Sequence, residues 1–178
     1  MTEAAAARAT RVLEGTVAAL SAAFLLLYVA VAASRAAYPF ELEWLEGGTL
    51  EHVRRILDGR SLYGAPSLEF TPFFYAPLYY YAAAAASLVV GPGFLALRLV
   101  SLAASVGGFA LIAVFVHRET RSGLAALAAA GLFAATYRHT GAWLDLGRAD
   151  SLMLLGLLGA TVLLRDGGDA AHVAAAAV

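Results

Sequence analysis

The chain has no cysteine and no lysine in 178 residues, and only five prolines. Without cysteine there is no disulfide framework and no thiolate metal site. Charge is scarce too: 14% of residues are charged, against 61% hydrophobic, which is too apolar for an ordinary soluble domain. The net charge of -1 offers no basic surface, so no nucleic-acid partner is expected. A Gly-rich phosphate loop, a Walker motif and a Ser-His-Asp pattern are all missing. Nor do the four histidines have ligand spacing. The apolar residues do not alternate with polar ones, which argues against an outer-membrane barrel. They come in continuous blocks instead, and these predict an all-α fold: a polytopic transmembrane helical bundle. Heavy use of Ala, Arg and Gly without Lys is associated with high-GC bacterial genes, which would place the chain in a bacterial inner membrane.

Spans are expected at about 14–34, 94–116, 122–139 and 150–165. Another begins at about 170, in DAAHVAAAAV, and has no closing flank. The 178 residues therefore read as a single transmembrane domain, the N-terminal portion of a longer protein. Val17 to Ala33 is longer than a signal-peptide core, and further apolar segments follow it, so it reads as an anchor. Arg8 and Arg11 precede it, which predicts a cytoplasmic N-terminus and a multi-pass protein.

The polar residues concentrate in YPFELEWLEGGTLEHVRRILDGRSLYGAPSLEFTPFFYAPLYYY, Tyr38 to Tyr81, on the outer face. Leu50, Val53 and Leu57 share one face of a short helix at about 47–58, with Glu51, Arg54, Arg55 and Asp58 elsewhere; it should lie at the interface. His52 on this helix reads as a surface residue. The apolar run at about 76–90 has about 15 residues where about 20 are needed to span. If it stays interfacial or re-entrant, Arg118, Arg121 and Arg165 face the cytoplasm and Asp145, Arg148 and Asp150 face the same side as Glu41, Glu43 and Glu46. That arrangement obeys the positive-inside rule at every short loop.

Each polar cluster has a functional and a plain interpretation. The Glu41, Glu43 and Glu46 carboxylates could supply a general base or hold a divalent cation, or could simply be a solvated loop. Arg148 and Asp150 stand at a membrane edge, where ionisable groups are costly; Asp150 also suits a helix N-terminus. Asp145 reads as ordinary loop. Arg98, early in a long span, could meet a phosphate or a carboxylate, or snorkel to the interface. Tyr75, Tyr79, Tyr80 and Tyr81, with Trp44 and Trp143, read as an interfacial aromatic belt.

The ordered set of motifs resembles the N-terminal part of the GT-C-fold, polyprenyl-phosphate-dependent glycosyltransferases, which include protein O-mannosyltransferases and lipid A aminoarabinose transferases. The matching pieces are Glu46-Gly47 in the first outer loop, YAPLYY from Tyr75 to Tyr80, RLVS from Arg98 to Ser101, and Arg148-Ala149-Asp150. Leu45 stands where the family usually has an aspartate. The resemblance implies sugar transfer from a lipid-linked donor to an acceptor on the non-cytoplasmic face, among membrane lipids. It implies catalytic roles for Glu46, Glu43 and Asp150, and substrate contacts for Arg148, Arg98, Tyr75 and Tyr79. A divalent cation is a possible cofactor; no metal ligands are assigned. The alternative is a non-catalytic polytopic membrane protein, a transporter fragment or a helix-packing partner subunit.

Overall fold

A computed structural model describes residues 2–167. Within them the chain forms six helices and no strand: α1 (Glu3–Ala36), α2 (Leu45–Leu57), α3 (Leu78–Val90), α4 (Phe94–Thr120), α5 (Gly123–Ala135) and α6 (Asp150–Asp166). Two of them, α1 and α4, are long and apolar enough to cross a membrane. The expected segment from about 170 lies outside the described residues.

Local chemistry sets the boundaries. Thr2 caps α1, its hydroxyl accepting from the Ala5 N–H, and Ser122 caps α5 by accepting from Ala125. Between α4 and α5, Arg121 takes a left-handed conformation at φ 55° and reverses the chain within two residues. Gly91, at φ 87°, ends α3. The helix expected at 122–139 is shorter than its apolar pattern. It stops at Ala135, and the chain then winds through turns to Ala142, whose N–H is taken by the Tyr137 carbonyl. The Tyr137 hydroxyl is drawn off to Asp145.

The helices are tied together mainly at one end. There α1 and α5 finish, and α4 and α6 begin. Arg98 in the second turn of α4 donates to the carbonyls of Arg35 and Tyr38. Ser101 donates to the Arg148 carbonyl just before α6. At the opposite end Arg165 of α6 pairs with Glu119 of α4. Between these ends α6 runs along α4, with Leu155 against Gly107 and Leu158 against Gly108. Farther round, α1 lies on α5 so closely that a side chain on Gly131 would strike Ser21.

The fate of α3 follows from its ends. Tyr79, in its first turn, donates to the Leu97 carbonyl at 2.9 Å and shares a 3.0 Å bond with Ser101. Its last residue, Val90, is four residues before α4 starts. The first turn of α3 is thus pinned to α4 at Leu97 and Ser101, and with 13 residues against 27 α3 does not follow α4 to its far end. Leu50 and Val53 of α2, Tyr79, Tyr80 and Ala83 of α3, and Leu97 of α4 form one core. Tyr28, Phe109, Ala130 and Ala134 form the other, between α1, α4 and α5.

Candidate functional site

Glu46 lies in the first turn of α2 and is fully buried. Its Oε1 accepts from Arg98 Nε at 2.9 Å and from the Gly147 N–H at 2.7 Å. Its Oε2 accepts from Arg98 Nη2 at 2.7 Å and from the Leu42 N–H at 2.8 Å. A carboxylate has about four lone-pair sites, and all are filled. Burial pushes this carboxyl up, but the Arg98 hydrogen bonds and the Leu42 and Gly147 donors outweigh it, leaving Glu46 below the ordinary carboxylate value. An acid so held has no oxygen to offer a substrate.

The partner is equally committed. Arg98 is 1% exposed. Besides its two bonds to Glu46, it donates to the carbonyls of Arg35, Tyr38 and Phe40. A guanidinium has five N–H donors, and these contacts use them all. Arg98 therefore neither snorkels nor has a donor free for phosphate. It satisfies carbonyls at the end of α1, anchors the following loop, and fixes α2 on α4. Tyr79 is likewise a buried pin rather than part of an exposed aromatic belt, and so is Tyr80. Tyr75 and Tyr81 do remain exposed.

A second cluster is open. Arg148 lies 3.3 Å from Glu43 and 2.8 Å from Asp150, and its guanidinium sits 4.4 Å from the centre of the Trp143 ring. The Arg148 and Glu43 side chains are 11% and 15% exposed, and that of Asp150 is 38% exposed. A narrow crevice beside them is lined by Leu45, Thr49, Tyr75, Tyr79, Tyr80, Arg148, Ala149 and Asp150. The two expected acidic loops thus meet through Arg148, with Tyr75 and Tyr79 at the same place. An apolar cleft of about 190 Å³ between α3 and α6 adjoins it, sharing Tyr79 and Ala149.

Three further groups were not marked by their sequence surroundings as site or core. The buried Tyr80 hydroxyl has no hydrogen-bond partner among the described residues. Asp145 is 2% exposed, not ordinary loop. Its Oδ1 accepts from the Tyr137 hydroxyl at 2.5 Å and from Arg35 at 3.3 Å, while Oδ2 is buried without a partner among the described residues. Burial raises this carboxyl above its ordinary value against the opposing pull of Tyr137 and Arg35. The flanking Leu144 and Leu146, both buried, are the one sequence signal for it. His52 is fully buried rather than on the surface. Its ring stacks between Phe73 and Tyr80, Nδ1 is 2.7 Å from the Gly48 carbonyl, and Nε2 accepts from the Phe73 N–H at 3.0 Å. Those bonds select the neutral Nδ1–H tautomer.

Among the described residues no three His, Asp or Glu side chains converge as a metal site. Glu43 and Asp150 could reach a divalent cation only in place of Arg148. No family model matches the chain, and no curated protein or solved structure matches it.

Proposed function

We propose that the chain is a multi-pass membrane protein that transfers a sugar from a polyprenyl-phosphate donor, with the Glu43, Arg148 and Asp150 cluster at its non-cytoplasmic end. The observation that carries this reading is the meeting of two loops about 100 residues apart on one guanidinium, beside an apolar cleft.

Exposed apolar side chains support the membrane placement. Leu13, Leu20, Leu26 and Leu27 of α1 are 55–70% exposed, a surface suited to lipid rather than water. Arg8, Arg11, Arg118, Arg121 and Arg165 belong to the end opposite the acids, which the positive-inside rule makes cytoplasmic. On this reading α3 stays at the outer interface, α6 crosses beside α4, and the 13-residue α5 completes its crossing beside α1 through the turns that follow it to Ala142, in an inner membrane.

The acceptor hydroxyl needs a base. With Glu46 saturated, Glu43 takes that role: among the described residues only its Oε2 is engaged, by the Leu45 N–H and Arg148. The donor's anomeric C–O bond breaks toward phosphate, which leaves as an anion and needs positive charge rather than an acid. Arg148 supplies it. Asp150 holds Arg148 through Nε and positions the acceptor. The apolar cleft between α3 and α6 takes the start of the lipid chain.

The test is transfer from a radiolabelled polyprenyl-phosphate sugar by the full protein in membranes. Glu43→Gln and Arg148→Gln should each lower turnover by a factor of about 100 or more. Wild-type turnover in both variants would remove the catalytic assignment. The mutual pairing of Glu43, Arg148 and Asp150 also favours a second reading, a helix-packing subunit without catalysis. That reading predicts no transfer by wild-type protein and a lowered melting midpoint in both variants.

A further inference from the structure

A separate cleft of about 870 Å³ opens between α1 and α5 and shares no lining residue with the crevice at Arg148. Its α1 wall is Phe24, Leu27, Tyr28 and Val31, followed by Arg35. These positions are spaced three and four apart and form one helical stripe. Its other wall runs from Leu132 and Ala135 of α5 to Arg138 and His139 just beyond. Both walls therefore change from apolar to cationic at the same end. From Phe24 to Arg35 the stripe rises about 16 Å, half of a bilayer's hydrocarbon core of about 30 Å, or the depth of one leaflet.

The cationic mouth has donors to spare. Arg35 engages Asp145 and Tyr137 through Nη1 alone, leaving Nε and Nη2. The exposed Arg138 side chain makes no hydrogen bond or ion pair among the described residues. Arg35 is balanced by the buried Asp145 behind it, and Arg138 lines the same mouth, so the excess there is one positive charge.

We propose that this cleft binds an anionic glycerophospholipid of the outer leaflet. One acyl chain lies between α1 and α5, and the phosphodiester sits against Arg35, Arg138 and His139. The single negative charge of the diester matches the single excess charge of the mouth, which Arg138 carries beside the apolar walls of α1 and α5. The proposal rests on the membrane placement above but not on glycosyl transfer.

Native mass spectrometry tests it on the full chain, exchanged into micelles holding equal amounts of dioleoyl phosphatidylglycerol and dioleoyl phosphatidylcholine. Wild-type protein should retain one phosphatidylglycerol in preference to phosphatidylcholine. Arg138→Gln should weaken retention about tenfold, the loss of one charge-assisted contact. Leu132→Trp, which fills the cleft from an exposed position, should abolish it while leaving the helical circular dichroism intact. Equal retention of the two lipids, retention unchanged in both variants, or a second copy of the chain in place of lipid would each overturn the lipid site. Alkaline carbonate extraction separates the two levels. A chain that is extracted overturns the membrane placement and the site together; one that resists extraction but shows no lipid preference overturns the site alone.

Discussion

Glu46 and Glu43 are three residues apart and have opposite fates. One is enclosed by four donors, and the other sits on Arg148 beside the crevice, with no bond to its Oε1 among the described residues. The difference predicts a split between stability and activity. Removing one partner of a buried ion pair strands the other, at a cost of about 3–5 kcal/mol. Glu46→Gln and Arg98→Met should each lower the melting midpoint in detergent steeply, while Glu43→Gln should barely move it, changing the stability by less than about 1 kcal/mol. A Glu46→Gln variant as stable as wild type would contradict the buried network. His52 gives a second residue-scale prediction. Burial lowers its pKa, and so does the Arg55 charge; the Gly48 carbonyl and Glu51 oppose them less strongly. The native state thus binds fewer protons than the unfolded chain below the ordinary value of 6.5. The stability His52 contributes is complete above that value and is lost as pH falls toward the lowered native one. Protonation also removes the acceptor for the Phe73 N–H. Exchange of that amide, followed by mass spectrometry, should accelerate as pH drops from 7 to 5 relative to its intrinsic rate. A His52→Gln variant should lose that pH dependence.

At the scale of the elements, small residues decide how near two helices come. Gly131 of α5 rests against Ser21 of α1, backbone and side chain together, so nothing flexible can move aside. Gly131→Val should force the two helices apart and cost about 1–3 kcal/mol by overpacking. Gly123→Ala is the control, because a Cβ there meets nothing within 4 Å. Thermal unfolding of both variants, read by circular dichroism, checks the difference; equal midpoints would argue against this packing. The same helix pair forms the proposed lipid cleft nearer its cationic end. Packing at Gly131 and lipid retention should therefore fall together.

For the whole molecule, the placement of α3 governs which loops share a side. Were α3 to cross, Arg121 and the loop at Leu68 would lie on one side of a membrane; on the proposed placement, with α3 at the outer interface, they would lie on opposite sides. The chain has no native cysteine, so single cysteines can report this directly. Leu68 is fully exposed and Arg121 is exposed at the turn after α4. In sealed membrane vesicles of known orientation, Leu68→Cys and Arg121→Cys should react with an impermeant maleimide from opposite faces. Labelling from one face would place α3 across the membrane.

Helix class and approximate limits are legible from sequence because they depend on nearby residues. Expected helices at 47–58 and 76–90 compare with Leu45–Leu57 and Leu78–Val90. Continuous apolar blocks, Gly91 and the Arg121-Ser122 turn mark these limits locally. The shared position of Glu43 and Arg148 was foreseeable from charge and segment length, though their contact was not. Tertiary structure alone decided which polar groups are buried. Glu46 meets Arg98 from 52 residues away and the Gly147 N–H from 101 residues away. No periodicity records a partner at that distance. Arg98, His52 and Asp145 therefore resemble surface groups in the sequence. Their burial costs too much without hydrogen bonds, and only the folded chain supplies the donors and acceptors that make it tolerable.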